Sequence, residues 1–262
     1  MWRYIRLYGY MVRFSFSRAM EFRVDFFFRF IMDAIFYTVN TIFFKVLFLH
    51  TPSLAGWTES QVMVFMTGFF VCDAIMMTVF SNNLWWISYL VNHGDLDHYL
   101  LRPVSSLFFL SVREFAASSA LNVVLAVSLC AWAITSYEIP FSPIKIALYA
   151  VLIVNGTFLL YIVQMLAVIP VFWTHSSGGF QMIGWEVAGL SRRPDRIFRG
   201  FVRKVMLTVI PMALVVSLPT RLLFEEFSWL TLAHIFGVTA VMFGVLLFFW
   251  SFALRNYSSA SS

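Results

Sequence analysis

SYLVNHGDLDHYLLRPVSS, residues 88–106, is a polar stretch set between two long apolar runs, 60–87 and 107–134. Each run exceeds the ~20 residues that an α-helix needs to cross a hydrocarbon layer of ~30 Å. The polar stretch therefore reads as a loop joining two membrane-crossing helices, and the same reading extends outward along the chain. Residues 24–49, 144–173 and 229–254 are three further apolar runs of sufficient length. The fold class that follows is an all-α integral membrane protein.

Composition points the same way. Hydrophobic residues make up 61% of the 262 and charged residues 12%, against about 25% charged in a soluble domain. A soluble chain of this length cannot hide so much apolar surface, because the core-to-surface ratio is limited by size. The net charge is +5, and 15 of the 18 cations are Arg. In a membrane protein that balance marks loops at the anionic cytoplasmic leaflet, and it argues against nucleic acid as a partner. Cys72 and Cys130 lie in apolar runs without CxxC spacing, so neither a disulfide framework nor a zinc site is expected.

The N-terminal residues 1–23, MWRYIRLYGYMVRFSFSRAMEFR, interleave Arg with aromatics and hold no continuous apolar core of a signal peptide. Trp2, Ile5, Tyr8, Val12 and Phe16 recur at three or four residues, with Arg3, Arg6, Arg13 and Arg18 among them. This is the pattern of an amphipathic helix lying in the headgroup layer, the alternative being a disordered basic tail. Residues 24–262 are then a single transmembrane domain whose first run acts as an uncleaved anchor.

The segment 174–228 admits two topologies. Six cations fall within Arg192–Lys204. A strict positive-inside reading places them in the cytoplasm and makes 205–224 the fifth span. The other reading makes 176–190 a short fifth span and 192–224 a hairpin that dips into the membrane and returns, broken at Pro194, Pro211 and Pro219. Both give six crossings with both termini in the cytoplasm.

Several ionisable residues fall inside or beside apolar runs, where each costs about 2.5–3.5 kcal/mol at a helix centre. Arg29 and Asp33 are four apart and can pair on one helix face. Asp73, in VCDAIMM, has no such neighbour and is expected to face a protein interior or cavity. Glu114 follows Arg113 at the start of a span, and Glu186 lies in the short apolar piece 180–190. A proton-coupled carrier would use Asp73, Glu114 or Glu186 as its relay, yet no inverted repeat is visible between the halves. Met63, Met66, Met76 and Met77 suit either a pliable path or ordinary packing. No HExxH or paired-His spacing, GxSxG elbow (Ser176-Ser177-Gly178-Gly179 is not one) or GxxxxGK[ST] phosphate loop occurs. The chain is thus expected to be no enzyme, to bind no metal and to carry no cofactor of its own.

Within the polar loop, Gly94 can end one helix, and Asp95 and Asp97 can open a short one through capping and the helix dipole. Leu96, Tyr99 and Leu100 then share a face, and Pro103 stops the helix. Such an element fits either a groove on a soluble partner or a plain surface loop. GDLDHYLLRP, residues 94–103, resembles the G-x-L-D-x-Y-L-L-R-P signature of ABC-2-type permeases, in particular the small six-span bacterial export permeases. The basic aromatic N-terminus, SRRP at 191–194, Val209-Ile210-Pro211 and Leu218-Pro219 stand where that family has similar features. One departure is Arg193, where relatives commonly carry an aromatic before Pro194.

The resemblance implies an exporter subunit in a bacterial inner membrane. Loop 88–106 would hold the coupling helix that sits in a cleft of a separate ABC ATPase, on which ATP and magnesium bind. Gly94, Asp95, Leu96, Asp97, Tyr99, Leu100, Leu101, Arg102 and Pro103 would form that element, with Asp95, Asp97 and Arg102 as its polar contacts. A second permease subunit, identical or related, would complete the path. The resemblance also favours the short fifth span and the re-entrant 192–224, placing the cations at the outer face.

Overall fold

The computed structural model describes residues 2–21, 23–136, 142–175 and 178–257. Residues 22, 176–177 and 258–262, which fall in the expected N-terminal helix, fifth span and tail, lie outside them. Among the described residues the chain is helical, with one isolated bridge between Leu54 and Trp57. Five helical stretches are long and apolar enough to cross a membrane: Phe26–His50, Glu59–Asn92, Ala117–Ser136, Pro143–Thr174 and Trp229–Arg255.

Helix α1 (Trp2–Glu21) is followed by α2 (Arg23–His50). Almost all of the apolar stretch in α2 lies on the outside of the bundle, with Phe27, Phe28, Ile35, Val39 and Phe43 exposed. Helix α3 (Glu59–Met76) opens on a capping box: Thr58 Oγ1 accepts from the Gln61 amide, and the Gln61 side chain accepts from the Thr58 amide at 3.0 Å. Buried from Val62 to Cys72, α3 is the centre of the bundle. It runs through a π-helical turn, Met77–Ser81, into α4 (Asn82–Asn92). Ser81 Oγ donates to the Met76 carbonyl at 3.2 Å, five residues back, as the wider turn allows.

The third apolar run is not one helix. After the one-turn α5 (Asp97–Leu100), helix α6 (Ser106–Val112) stops, and α7 (Ala117–Ser136) starts after a break at 113–116. The break is held from the second span. Asn83 Nδ2 donates to the Glu114 carbonyl at 2.8 Å, Asn83 Oδ1 accepts from the Glu114 amide at 2.9 Å, and the Ala116 amide donates to the Thr78 carbonyl at 2.8 Å. The peptide groups freed by breaking the helix thus find partners on a neighbour, which is what an apolar setting demands.

Helix α8 (Pro143–Val168) carries Pro at its start, where no amide is missed, and is interrupted at Pro170 before α9 (Val171–Thr174). Two ends of the bundle can now be told apart. At one end, Phe172 packs on Trp250 and Tyr257, and the Trp250 indole donates to Ser106 Oγ at 3.2 Å, beside the 88–106 loop. At the other, Lys145 Nζ donates to the Glu225 carbonyl at 2.9 Å, and Arg196 reaches both Glu225 and the Gly56 carbonyl.

Helix α10 (Gly179–Gly189) is 11 residues, or ~16 Å, and is too short to cross alone. Its chain nevertheless travels between the two ends. Gln181 donates to the Leu84 carbonyl, Arg192 lies over the Phe69 ring, and Arg196 sits at Gly56. Two 3₁₀ turns, Leu190–Arg192 and Asp195–Ile197, complete the climb.

No single helix covers 205–224, so the span drawn there from charge alone is not one continuous helix. Helix α11 (Gly200–Thr208) ends before Pro211, a 3₁₀ turn spans Met212–Leu214, and α12 (Ser217–Phe224) returns the chain. The turn reaches the middle of α8. A Cβ on Gly156 would sit 2.1 Å from the Val215 carbonyl oxygen, and Gly156 lies ~16 Å along α8 from Lys145. Helix α13 (Trp229–Arg255), capped by Ser228 on the Thr231 amide, closes the bundle.

Candidate functional site

The 88–106 loop begins where α4 ends. Gly94 has φ +74°, a conformation open to glycine, and turns the chain so that the Leu96 amide donates to the Leu90 carbonyl at 3.2 Å. One helical turn follows, with Asp97 at its start and His98 near its end. The face formed by Leu96, Tyr99 and Leu100 points into the chain's own bundle, not outward. Leu96 is fully buried, while Tyr99 and Leu100 pack against the core.

Tyr99 is clamped. Its hydroxyl accepts from Arg113 Nη1 at 2.5 Å, the Arg113 guanidinium lies 5.1 Å from its ring, and Arg102 stacks on both Tyr99 and Phe109. The loop is therefore bolted to the break between α6 and α7. What projects is Leu101, 84% exposed, beside exposed His98, Arg102 and Pro103. Asp95 and Asp97 are half-buried at the rim. Helix α1 lies alongside, Tyr4 Oη accepting from the Ser105 amide at 3.3 Å and its ring meeting Phe108 edge-on.

The intramembrane ionisable residues are not gathered into one relay. Asp33 accepts from Asn122 of α7 and feels the charge of Arg29 one turn earlier. Asp73 lines a cleft of about 20 Å³, with Gln164, Trp185 and Arg192 on its wall. Glu114 pairs with Arg113 at 3.9 Å, and Glu186 is exposed. Cys72 and Cys130 are buried and free. No group of three or more potential metal ligands occurs among the described residues.

One constellation has no counterpart in the sequence reading. Asp195, with a side chain 0% exposed, takes Arg203 at 2.8 Å and Arg221 at 3.5 Å. Arg221 also pairs with Glu225 at 3.1 Å, and Arg196 meets the same carboxylate at 2.6 Å. Burial alone would raise the Glu225 carboxyl, but hydrogen bonds and charge from Arg221 and Arg196 hold it below the ordinary 4.5. Two of the six cations in 192–204, Arg196 and Arg203, are thus internal ties. Arg192, Arg193, Arg199 and Lys204 remain exposed.

A family model described as ABC-2 family transporter protein matches residues 34–261. The chain belongs to the ABC-2 transporter family. Comparison with curated proteins and with solved structures gives no match. As an ABC-2 family member it is a multi-pass membrane permease, and partnership with an ABC ATPase is a general property of such permeases.

Proposed function

We propose that this permease is one half of the path of an exporter in a bacterial inner membrane, with both termini cytoplasmic, driven through Gly94–Pro103 by a separate ABC ATPase. The observation that carries the reading is the build of the loop. Tyr99 anchors a single helical turn to the third span and Leu96 buries its start in the core, while Leu101 stands 84% exposed at its tip beside His98 and Arg102. An apolar knob on a rigid base suits a cleft on a soluble subunit. ATP and magnesium belong to that subunit.

The anchoring also supplies a route for force. Displacing the turn pulls Tyr99 on Arg113, and through the 113–116 break it moves Glu114 against Asn83 of α4. Closure of an ATPase dimer would then shift the second and third spans as a body. The short fifth crossing drawn at 176–190 then runs on to Arg196, and the re-entrant hairpin drawn at 192–224 narrows to 200–224, its turn resting on Gly156. A second permease subunit, identical or related, supplies the other half of the path. The exposed outer cations Arg193 and Arg199 then meet lipid headgroups or an acidic substrate.

Co-purification from the native host tests the coupling. An ABC ATPase is expected to accompany the wild-type chain and to be lost on Leu101→Asp or Asp97→Arg, with the permease still folded. Retention of the ATPase and of ATP-dependent transport in both variants would refute it. Leu100→Asp is a poorer probe, because that side chain packs inward.

A further inference from the structure

Two hollows open between α1 and the bundle. The first, about 250 Å³, receives Arg18 from α1 and Arg29 from α2, with Ser15, Asn82 and Ser118 as neutral polar groups and Glu114 as an acid. The Glu114 carboxylate has Arg113 at 3.9 Å, and Ser15 Oγ already accepts from the Phe115 amide at 3.3 Å, which leaves its hydroxyl proton to donate. The second, about 340 Å³, is an apolar groove between Tyr4, Ile5 and Tyr8 of α1 and Val79, Phe108 and Val112 of the bundle. The two are lined by neighbouring turns: Val79 and Asn82 share one helical path, and Val112 precedes Glu114 by two residues.

A polar hollow with two guanidinium groups next to an apolar groove matches one class of ligand, an amphiphile with an anionic head. Guanidinium forks take phosphate oxygens in pairs. Helix α1 carries exposed Trp2, Tyr10 and Phe14 beside exposed Arg3, Arg6 and Arg13, so it lies in the headgroup layer, where such amphiphiles are concentrated. We propose that α1 clamps one anionic phospholipid to the permease, its phosphodiester between Arg18 and Arg29 and one acyl chain in the Tyr4–Val112 groove. The lipid then adds to the direct packing of α1 at the break before α7, which includes Ser15 and Phe16 on Phe115. The inference requires only that the chain sits in a membrane, and it is independent of coupling to an ATPase.

Native mass spectrometry of the full chain in neutral detergent tests it, with titration of phosphatidylglycerol, of phosphatidylcholine with the same acyl chains, and of inorganic phosphate. One saturable phosphatidylglycerol adduct is expected, at least ten-fold tighter than phosphatidylcholine. It should weaken ten-fold or more in Arg18→Gln/Arg29→Gln at unchanged helical content. Val79→Trp, which fills the groove, should weaken the lipid as well. Should the double variant not purify, Arg18→Gln on the exposed helix carries the same criterion. Equal binding of the two lipids, or full affinity without the arginines, would overturn the proposal. Displacement of the lipid by equimolar inorganic phosphate would assign the hollow to a soluble anion and overturn it equally.

Discussion

Asn83 is the residue on which the third span turns. It is 1% exposed and satisfies both the amide and the carbonyl of Glu114 where the helix is broken. Asn83→Ala would orphan two part-buried backbone groups, a loss on the order of 1–2 kcal/mol. A clearly lowered thermal midpoint in detergent is expected, and an unchanged one would remove Asn83 from this role. Glu225 offers a pH test with a definite sign. Its carboxyl is held below 4.5 in the fold, so the ties to Arg221 and Arg196 are fully present above that value and fade as pH falls through the lowered one. Hydrogen exchange in 217–228 should be the same at pH 7 and pH 5.5 once corrected for intrinsic rates, then rise below 4.5. Glu225→Gln should show the looser pattern at every pH.

The elements differ in how far the sequence reveals them. Long apolar runs are legible because length and hydropathy are local properties, and all five long runs contain a helix of spanning character. The break at 113–116 is not, since Arg113 and Glu114 read as interfacial charges and the cause of the break is an amide on another helix. The loop was legible as a short helix opened by Asp97, but its orientation was not. Leu96, Tyr99 and Leu100 share a face, yet periodicity cannot say whether that face turns to the bundle or to a partner. The buried Asp195 cluster joins residues far apart in sequence, and only the four-residue spacing of Arg221 and Glu225 could have signalled part of it. The hairpin rests on a contact invisible in sequence, the Val215 carbonyl against Gly156. Gly156→Ala places a methyl on that backbone oxygen and should cost about 1–3 kcal/mol by overpacking. Loss of yield and a lower unfolding midpoint are expected, whereas a wild-type midpoint would show that the hairpin gives way freely.

At the scale of the molecule, the two ends of the bundle carry different chemistry. One presents Leu101 on a braced turn beside the basic, aromatic α1. The other gathers Arg196, Arg203, Arg221, Asp195 and Glu225 around the ends of α8 and α12. Under the proposed function the first end faces the cytoplasm and an ATPase, and the second faces the outside. Movement at the loop would then be passed to the spans through the Asn83 staple, and the hairpin meets those spans at Gly156. Photo-crosslinking in living cells puts this most directly, with the reactive side chain at position 101 or, as the opposite-end control, at Phe227. An adduct from position 101 with a nucleotide-binding subunit is expected, and none from position 227. An ATPase adduct from 227 and not from 101, or only lipid adducts at 101, would contradict it.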